Sequence, residues 1–228
     1  MEKQGCRGSG GFTLLEILIS IAILSVILSV IYGSYHSSVR TIQAVQADSD
    51  LQRTIRLILD RMSEDIRSAY ISQFTDPSET MKFAFVGEDN WDGVFPADTL
   101  NFTSATRKLY ESNHPHSIFS EIGYVLENDE ATGRKKLMRR ESTVVDRDIT
   151  TGGTVLEMGL QVRGVDLKYL DANNETWDFW DSTTGEHENM LPSMVEIHLF
   201  TERGDDLTEQ PPVEFVAKVH LEMAQPKR

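Results

Sequence analysis

The sequence predicts an α+β fold, with one long N-terminal helix, apolar in its first half and amphipathic in its second, followed by a mainly antiparallel β-sheet domain. Three observations predict it. Ile17 to Val39 is a run of 23 residues without Asp, Glu, Lys or Arg. No Pro or Gly occurs between Ser34 and Asp76, and apolar residues recur there at three- and four-residue steps. Beyond Asp76-Pro77-Ser78 the apolar period changes to two.

The first element is long enough to cross a membrane. At about 1.5 Å per residue the charge-free run covers on the order of 34 Å, against a hydrocarbon core of roughly 30 Å. Lys3, Arg7 and the initiator amine precede it and only Arg40 follows directly, so the positive-inside bias places the N-terminus in the cytoplasm and exports the rest. The formal charge of −14 divides unevenly. Lys3, Arg7 and Arg40 against Glu2 and Glu16 leave +1 on residues 1–40, so residues 41–228 carry −15. Such an exported domain repels a phosphate backbone, and no nucleic-acid partner is expected. Cys6, the one cysteine, excludes an intramolecular disulfide and a cysteine zinc cage.

Three kinds of processing compete at this segment. A secretory signal peptide needs small residues after the apolar run, and Gly33-Ser34-Tyr35 is a poor match. A lipoprotein needs the apolar stretch before its cysteine, whereas here it follows Cys6. The third rests on Gly11-Phe12-Thr13-Leu14-Leu15-Glu16, a short polar leader ending in glycine with a lone carboxylate at the head of the helix. A carboxylate there needs a partner, because an ionised acid at mid-bilayer costs roughly 2.5–3.5 kcal/mol on insertion scales. Cleavage after Gly11 supplies one: the new amine of Phe12 on one subunit pairs with Glu16 of its neighbour. The plain alternative is an uncleaved anchor whose Glu16 snorkels to the headgroups.

These residues resemble the class III signal of type IV pilins and type II secretion pseudopilins. The resemblance implies a pilin-like fold and a prepilin peptidase that cuts after Gly11 and methylates Phe12, with Glu16 as the assembly carboxylate. It divides the chain into a leader over 1–11, a hydrophobic transmembrane and assembly helix over 12–39, an amphipathic extension over 40–71 and a β-rich periplasmic domain over 72–228.

In the extension, Leu51, Ile55, Ile58, Leu59, Met62, Ile66, Ala69 and Tyr70 form the apolar face. Asp48, Asp50, Arg53, Arg56, Asp60, Glu64 and Arg67 form the polar one. The steps keep no strict heptad, so this half is expected to pack on its own sheet rather than in a coiled coil. Phe12 to about Ile71 as one helix measures on the order of 90 Å. The sheet follows in alternating runs: Ile122, Tyr124 and Leu126 opposite Glu121, Gly123, Val125 and Glu127; a turn over 128–133; Lys135 to Glu141; Val165, Leu167 and Tyr169; and Val195, Ile197 and Leu199. The clearest alternation is Val213, Phe215, Ala217, Val219, Leu221 and Met223 against Glu214, Lys218, His220 and Glu222.

The C-terminal third narrows the family. Trp177-Asp178-Phe179-Trp180 followed by Leu191-Pro192-Ser193-Met194-Val195 resembles the Trp-x-x-Trp and Leu-Pro-x-x-Val stretch of the J-type minor pseudopilins of type II secretion. The strands at Ile122-Gly123-Tyr124-Val125-Leu126 and Leu137-Met138-Arg139-Arg140 also fit. Read from the residues alone, paired tryptophans also serve to plug a sheet edge.

No enzyme, cofactor or catalytic metal is expected. There is no Gly-x-Ser-x-Gly elbow, phosphate-binding glycine-lysine loop or His-Glu-x-x-His. His114-Pro115-His116 reads as a turn. Asp171-Ala172-Asn173-Asn174-Glu175 starts like a calcium loop, but Thr176 replaces its glycine and Ser182 its bidentate glutamate. Some pseudopilins bind calcium, so the resemblance leaves that site open. Asp146 with Asp148, and Asp205 with Asp206, read as solvated turn charges.

The resemblance implies a bitopic inner-membrane protein at the tip of the periplasmic pseudopilus, with the I- and K-type minor pseudopilins as partners. A minor pilin of a type IV pilus or DNA-uptake filament would share the leader. A signal-anchored periplasmic binding domain would make Gly11-Phe12 a coincidence.

Overall fold

The computed structural model describes residues 12–72, 81–105, 118–129, 133–159, 162–201, 212–221 and 223. Gly11 and the leader's Lys3, Cys6 and Arg7 lie outside them, as do Asp76-Pro77-Ser78, His114-Pro115-His116, Asp205-Asp206, Glu222 and the middle of the turn over 128–133. The chain divides into two units, Met1–Ser49 and Asp50–Arg228.

Helix α1, Leu14–Arg67, runs for 54 residues. In its first unit every large apolar side chain from Phe12 to Tyr35 is exposed, and it is the one described helix long and apolar enough to cross a membrane. Its hydroxyls suit such a medium. Ser20, Ser25, Ser29 and Ser38 each donate to the carbonyl four residues earlier, at 2.7–3.0 Å, so none is left without a partner in an apolar surround.

In the second unit the helical period is read out as burial. Leu51, Ile55, Ile58, Met62, Ile66 and Ala69 are buried, while Asp50, Arg53, Arg56, Asp60, Glu64 and Arg67 face water. The helix ends at Arg67 rather than near Ile71 because the chain there joins the sheet. Ala69 bridges Ser104, and the Tyr70 N–H donates to the Thr103 carbonyl at 2.8 Å.

The strands are β1 Phe85–Glu88, β2 Thr99–Ser104, β3 Ser120–Asn128, β4 Lys135–Ser142, β5 Thr154–Gly159, β6 Val162–Leu170, β7 Thr176–Trp177, β8 Trp180–Asp181, β9 Met194–Thr201 and β10 Val213–His220. They form a six-stranded sheet in the order β5-β4-β3-β2-β1-β8 and a four-stranded sheet in the order β10-β9-β6-β7. Every ladder is antiparallel. One core joins the second half of α1 to both sheets, with Phe102, Ile122 and Leu137 from the larger and Val165, Leu167, Tyr169, Val195, Ile197 and Leu199 from the smaller.

Two strands depart from simple alternation. In β3, Ser120 to Tyr124 are all buried, so Glu121 does not face water as its period suggests; its carboxylate accepts the Asp146 N–H at 2.9 Å and lies 3.5 Å from Arg140. Strand β10 stops at His220, where its pairing with β9 ends. Leu221 is still buried, with its N–H on the Ser193 carbonyl, but Met223 is exposed and does not extend the face.

Candidate functional site

At the head of α1, Thr13 is the residue before the first helical one, and its Oγ1 accepts the Glu16 N–H at 3.3 Å. Thr13-Leu14-Leu15-Glu16 thus has the spacing of a capping box, and Glu16 sits in the first turn, where the helix dipole favours negative charge. Its carboxylate has no hydrogen bond or ion pair among the described residues. Phe12 is 80% exposed. The two side chains are therefore presented outward together, and Gly11 lies outside the described residues.

The folded unit holds a buried charge cluster that was not read from the sequence. Asp65 follows Ile58 and Met62 along the buried face, and Arg139 follows Leu137 by two on the buried face of β4. Arg139 Nε donates to Asp65 Oδ2 at 2.6 Å, the Tyr124 hydroxyl donates to the same oxygen at 2.6 Å, and Arg139 Nη1 reaches Glu141 at 2.6 Å. Arg61 stands 3.4 Å from Oδ1. Burial works against the Arg139 charge, but the bonds to Asp65 and Glu141 prevail and hold its pKa above the usual guanidinium value. Tyr124 is pushed well above the usual phenol range by burial and by the Asp65 charge. These groups fasten helix to sheet, and their protons are held firmly rather than poised for transfer.

A second buried acid lies between the sheets. Asp98 Oδ1 accepts the Asn90 N–H at 3.0 Å and Oδ2 the Leu167 N–H at 2.7 Å. Burial raises its pKa to about 6 despite those bonds. Its hydrogen-bond partners among the described residues are backbone amides.

The two tryptophans stand on edge strands of different sheets. Trp177 is in β7 and Trp180 in β8, and the step between them carries the chain from the smaller sheet to the larger. Trp180 is buried, donates Nε1 to the Met190 carbonyl at 3.0 Å and stacks on His187 at 3.8 Å between centroids. Leu191 and Val195 of the Leu-Pro stretch are buried beside it in the same core. These residues close two sheet edges, which agrees with the plug reading of the motif. His187 carried no sequence signal, because a lone histidine in a Gly-Glu-His turn has no period to place it.

Asp171 starts a turn. Its Oδ1 accepts the N–H groups of Asn173 and Glu175 at 2.7 and 2.8 Å, and Asn174 takes a positive φ of 63°. Asp148 likewise caps Thr150, and Asp146 is exposed. Among the described residues no three His, Cys, Asp or Glu side chains gather as a metal site.

The chain is similar to known proteins in two segments. A family described as prokaryotic N-terminal methylation motif matches residues 6–32, and one described as type II secretion system (T2SS), protein J, matches residues 33–211. No curated protein matches. Among solved structures, the chain is similar to one from the crystal structure of the GspK-GspI-GspJ complex from the enterotoxigenic Escherichia coli type 2 secretion system, at 10% identity and a TM-score of 0.47, covering 74% of this chain and 97% of that one. The protein J match takes in the amphipathic half of α1, the larger sheet, strands β6, β7 and β9 of the smaller one, and the tryptophan and Leu-Pro segments; β10 lies beyond it. The chain belongs to the type II secretion system protein J family, the J-type minor pseudopilins, and carries the N-terminal methylation motif ahead of it.

Proposed function

We propose that this minor pseudopilin acts by position and has no catalytic activity, as a tip subunit of the periplasmic pseudopilus. The observation that carries this reading is the joining, in one chain, of an uncovered charge-free helix headed by Phe12 and Glu16 to a folded domain of the protein J family. The helix serves as a single-pass inner-membrane anchor, with its N-terminus cytoplasmic before assembly and residues 72–228 periplasmic. Prepilin peptidase removes residues 1–11 and methylates Phe12. The new amine pairs with Glu16 of a neighbouring subunit inside the membrane, where loss of either charge leaves the other shielded and unpaired. The I- and K-type minor pseudopilins are the partners, engaged by the helix within the membrane and by the sheet domain outside it.

Family membership supports a secretion system over a type IV pilus or DNA-uptake filament. The methylation-motif match counts against a signal-anchored binding domain that bears Gly11-Phe12 by chance. Co-expression of the full chain with the I- and K-type pseudopilins, extraction in mild detergent and affinity capture of this subunit test the reading. A stoichiometric complex is expected; capture of this chain alone from membranes that contain all three would contradict it.

A further inference from the structure

A cavity of about 600 Å³ opens where β1 and β8, at one edge of the larger sheet, come near β7, at one edge of the smaller. Aromatic rings form much of its wall. His187 meets Trp177 edge-on at 4.6 Å, and Phe179, 53% exposed, lies edge-on to Trp177 at 6.4 Å. His187 is 95% withdrawn from water, yet neither its Nε2 nor the buried Nε1 of Trp177 has a hydrogen-bond partner among the described residues. Buried polar atoms in native proteins nearly always have one.

The ionised groups lining the cavity have one sign. Glu88, Asp89, Asp181 and Glu186 contribute carboxylates, and no Lys or Arg lines it. Glu88 and Asp181 are already engaged, by the Thr99 hydroxyl and by the N–H and hydroxyl of Thr183. Asp89 and Glu186 are exposed and form no ion pair among the described residues.

We infer that this cavity receives an arginine side chain from an exposed segment of a partner protein. A guanidinium is planar, stacks on aromatic faces and offers several N–H donors in one plane, so it can lie against Trp177 and Phe179 while donating to carboxylates on either side. His187 Nε2 and Trp177 Nε1 lie below the accessible surface of the wall, and they gain partners from the guanidinium and its neighbouring peptide carbonyl when the aromatic side chains shift on binding. The volume suits a side chain together with its adjoining backbone. The assembly reading is used here only for the class of partner, a protein. Binding is measured on this chain alone, so its failure leaves that reading standing, and failed co-assembly leaves this site standing.

The test uses the full chain in detergent labelled with 5-fluorotryptophan, whose three indole signals are assigned by Trp→Phe replacement. The probes are acetyl-Gly-Arg-Gly-amide, its citrulline counterpart of equal shape and no charge, and chitobiose. Saturable movement of the Trp177 signal with the arginine peptide alone is expected. The pair Asp89→Asn and Glu186→Gln, both at the surface, should weaken that binding roughly tenfold, at about three- to fivefold per exposed carboxylate. An unmoved Trp177 signal, equal binding of the citrulline peptide or of chitobiose, or unchanged affinity in the double variant would overturn the inference.

Discussion

Asp65 of α1 and Arg139 of β4 form a 2.6 Å charge-assisted bond with both side chains withdrawn from water, at 0% and 3% exposure. It ties the amphipathic half of the helix to β4, the strand next to the β5 edge of the larger sheet. Removing one member of such a pair strands the other, and a stranded buried charge costs more than the pair contributes. Asp65→Leu is therefore expected to destabilise the folded unit by about 3–5 kcal/mol, whereas Asp65→Leu with Arg139→Met loses markedly less. Urea denaturation of the full chain in detergent, followed by far-UV circular dichroism, measures both. A single variant as stable as the parent would remove the pair from any structural role.

Gly87 and Tyr169 make a second close relationship. A Cβ on Gly87 would run into the Tyr169 ring and hydroxyl nearer than van der Waals contact allows, and Tyr169 is fully buried, its hydroxyl without a hydrogen-bond partner among the described residues. Gly87→Ala is expected to cost about 1–3 kcal/mol by overpacking. Tyr169→Phe removes a buried group that makes no hydrogen bond, so it should be neutral or slightly stabilising, and it should partly rescue Gly87→Ala. The same denaturation experiment reads all three variants.

Asp98 sets a pH dependence. Its folded pKa of about 6 lies above its ordinary 3.8, so between those values the folded state binds more protons than the unfolded one. Stability therefore falls as pH rises from about 4 to about 6 and is level above that, a contribution of roughly 3 kcal/mol for two pKa units. Asp98→Asn removes this slope, although its amide group then opposes one of the two N–H donors now bound by the carboxylate. Denaturation midpoints taken from pH 4 upward should show the difference between parent and variant changing through that window. A constant difference would contradict the assignment.

Much of this architecture was legible in the residues. The apolar steps from Leu51 to Ala69 are buried as their period requires, and Val195, Ile197 and Leu199 alternate with Glu196 and His198 in β9 as read. Asp65, three residues after Met62 on the same face, was not read from the sequence, because a charge among apolar residues carries no signal until its partner is known. That partner, Arg139, is 74 residues away. Glu121 was hidden for the same reason, since Arg140 and the Asp146 amide that accompany it come together only when β3 and β4 pair. The helix end was misplaced by four residues because sequence shows the absence of a breaker, not the bridge that carries Ala69 to Ser104. The aromatic and acidic cavity was invisible: it forms only where β1 pairs with β8, bringing a strand from early in the domain against the stretch that holds β7, β8 and the Gly185–His187 turn.

The charge of Glu16 and its place at the helix start are separated by its variants. Its spacing from Thr13 is that of a capping box, but the bond made there uses the Glu16 backbone N–H, and the carboxylate does not turn back to the helix start. As the partner of a neighbour's Phe12 amine it needs its charge. Glu16→Gln and Glu16→Ala are both expected to insert into membranes normally and to be depleted from the captured pseudopilin complex to a similar degree. A Gln variant that assembles as well as the parent would show that the Glu16 charge is not needed.

The most direct test of the pseudopilin reading is the mass of the N-terminal peptide from the full chain purified out of membranes that contain prepilin peptidase. A mature chain that begins at Phe12 with one N-methyl group is expected, together with an uncleaved chain for Gly11→Val, whose side chain obstructs the scissile peptide. A parent chain that begins at Met1 or Glu2 without modification would contradict the pseudopilin reading.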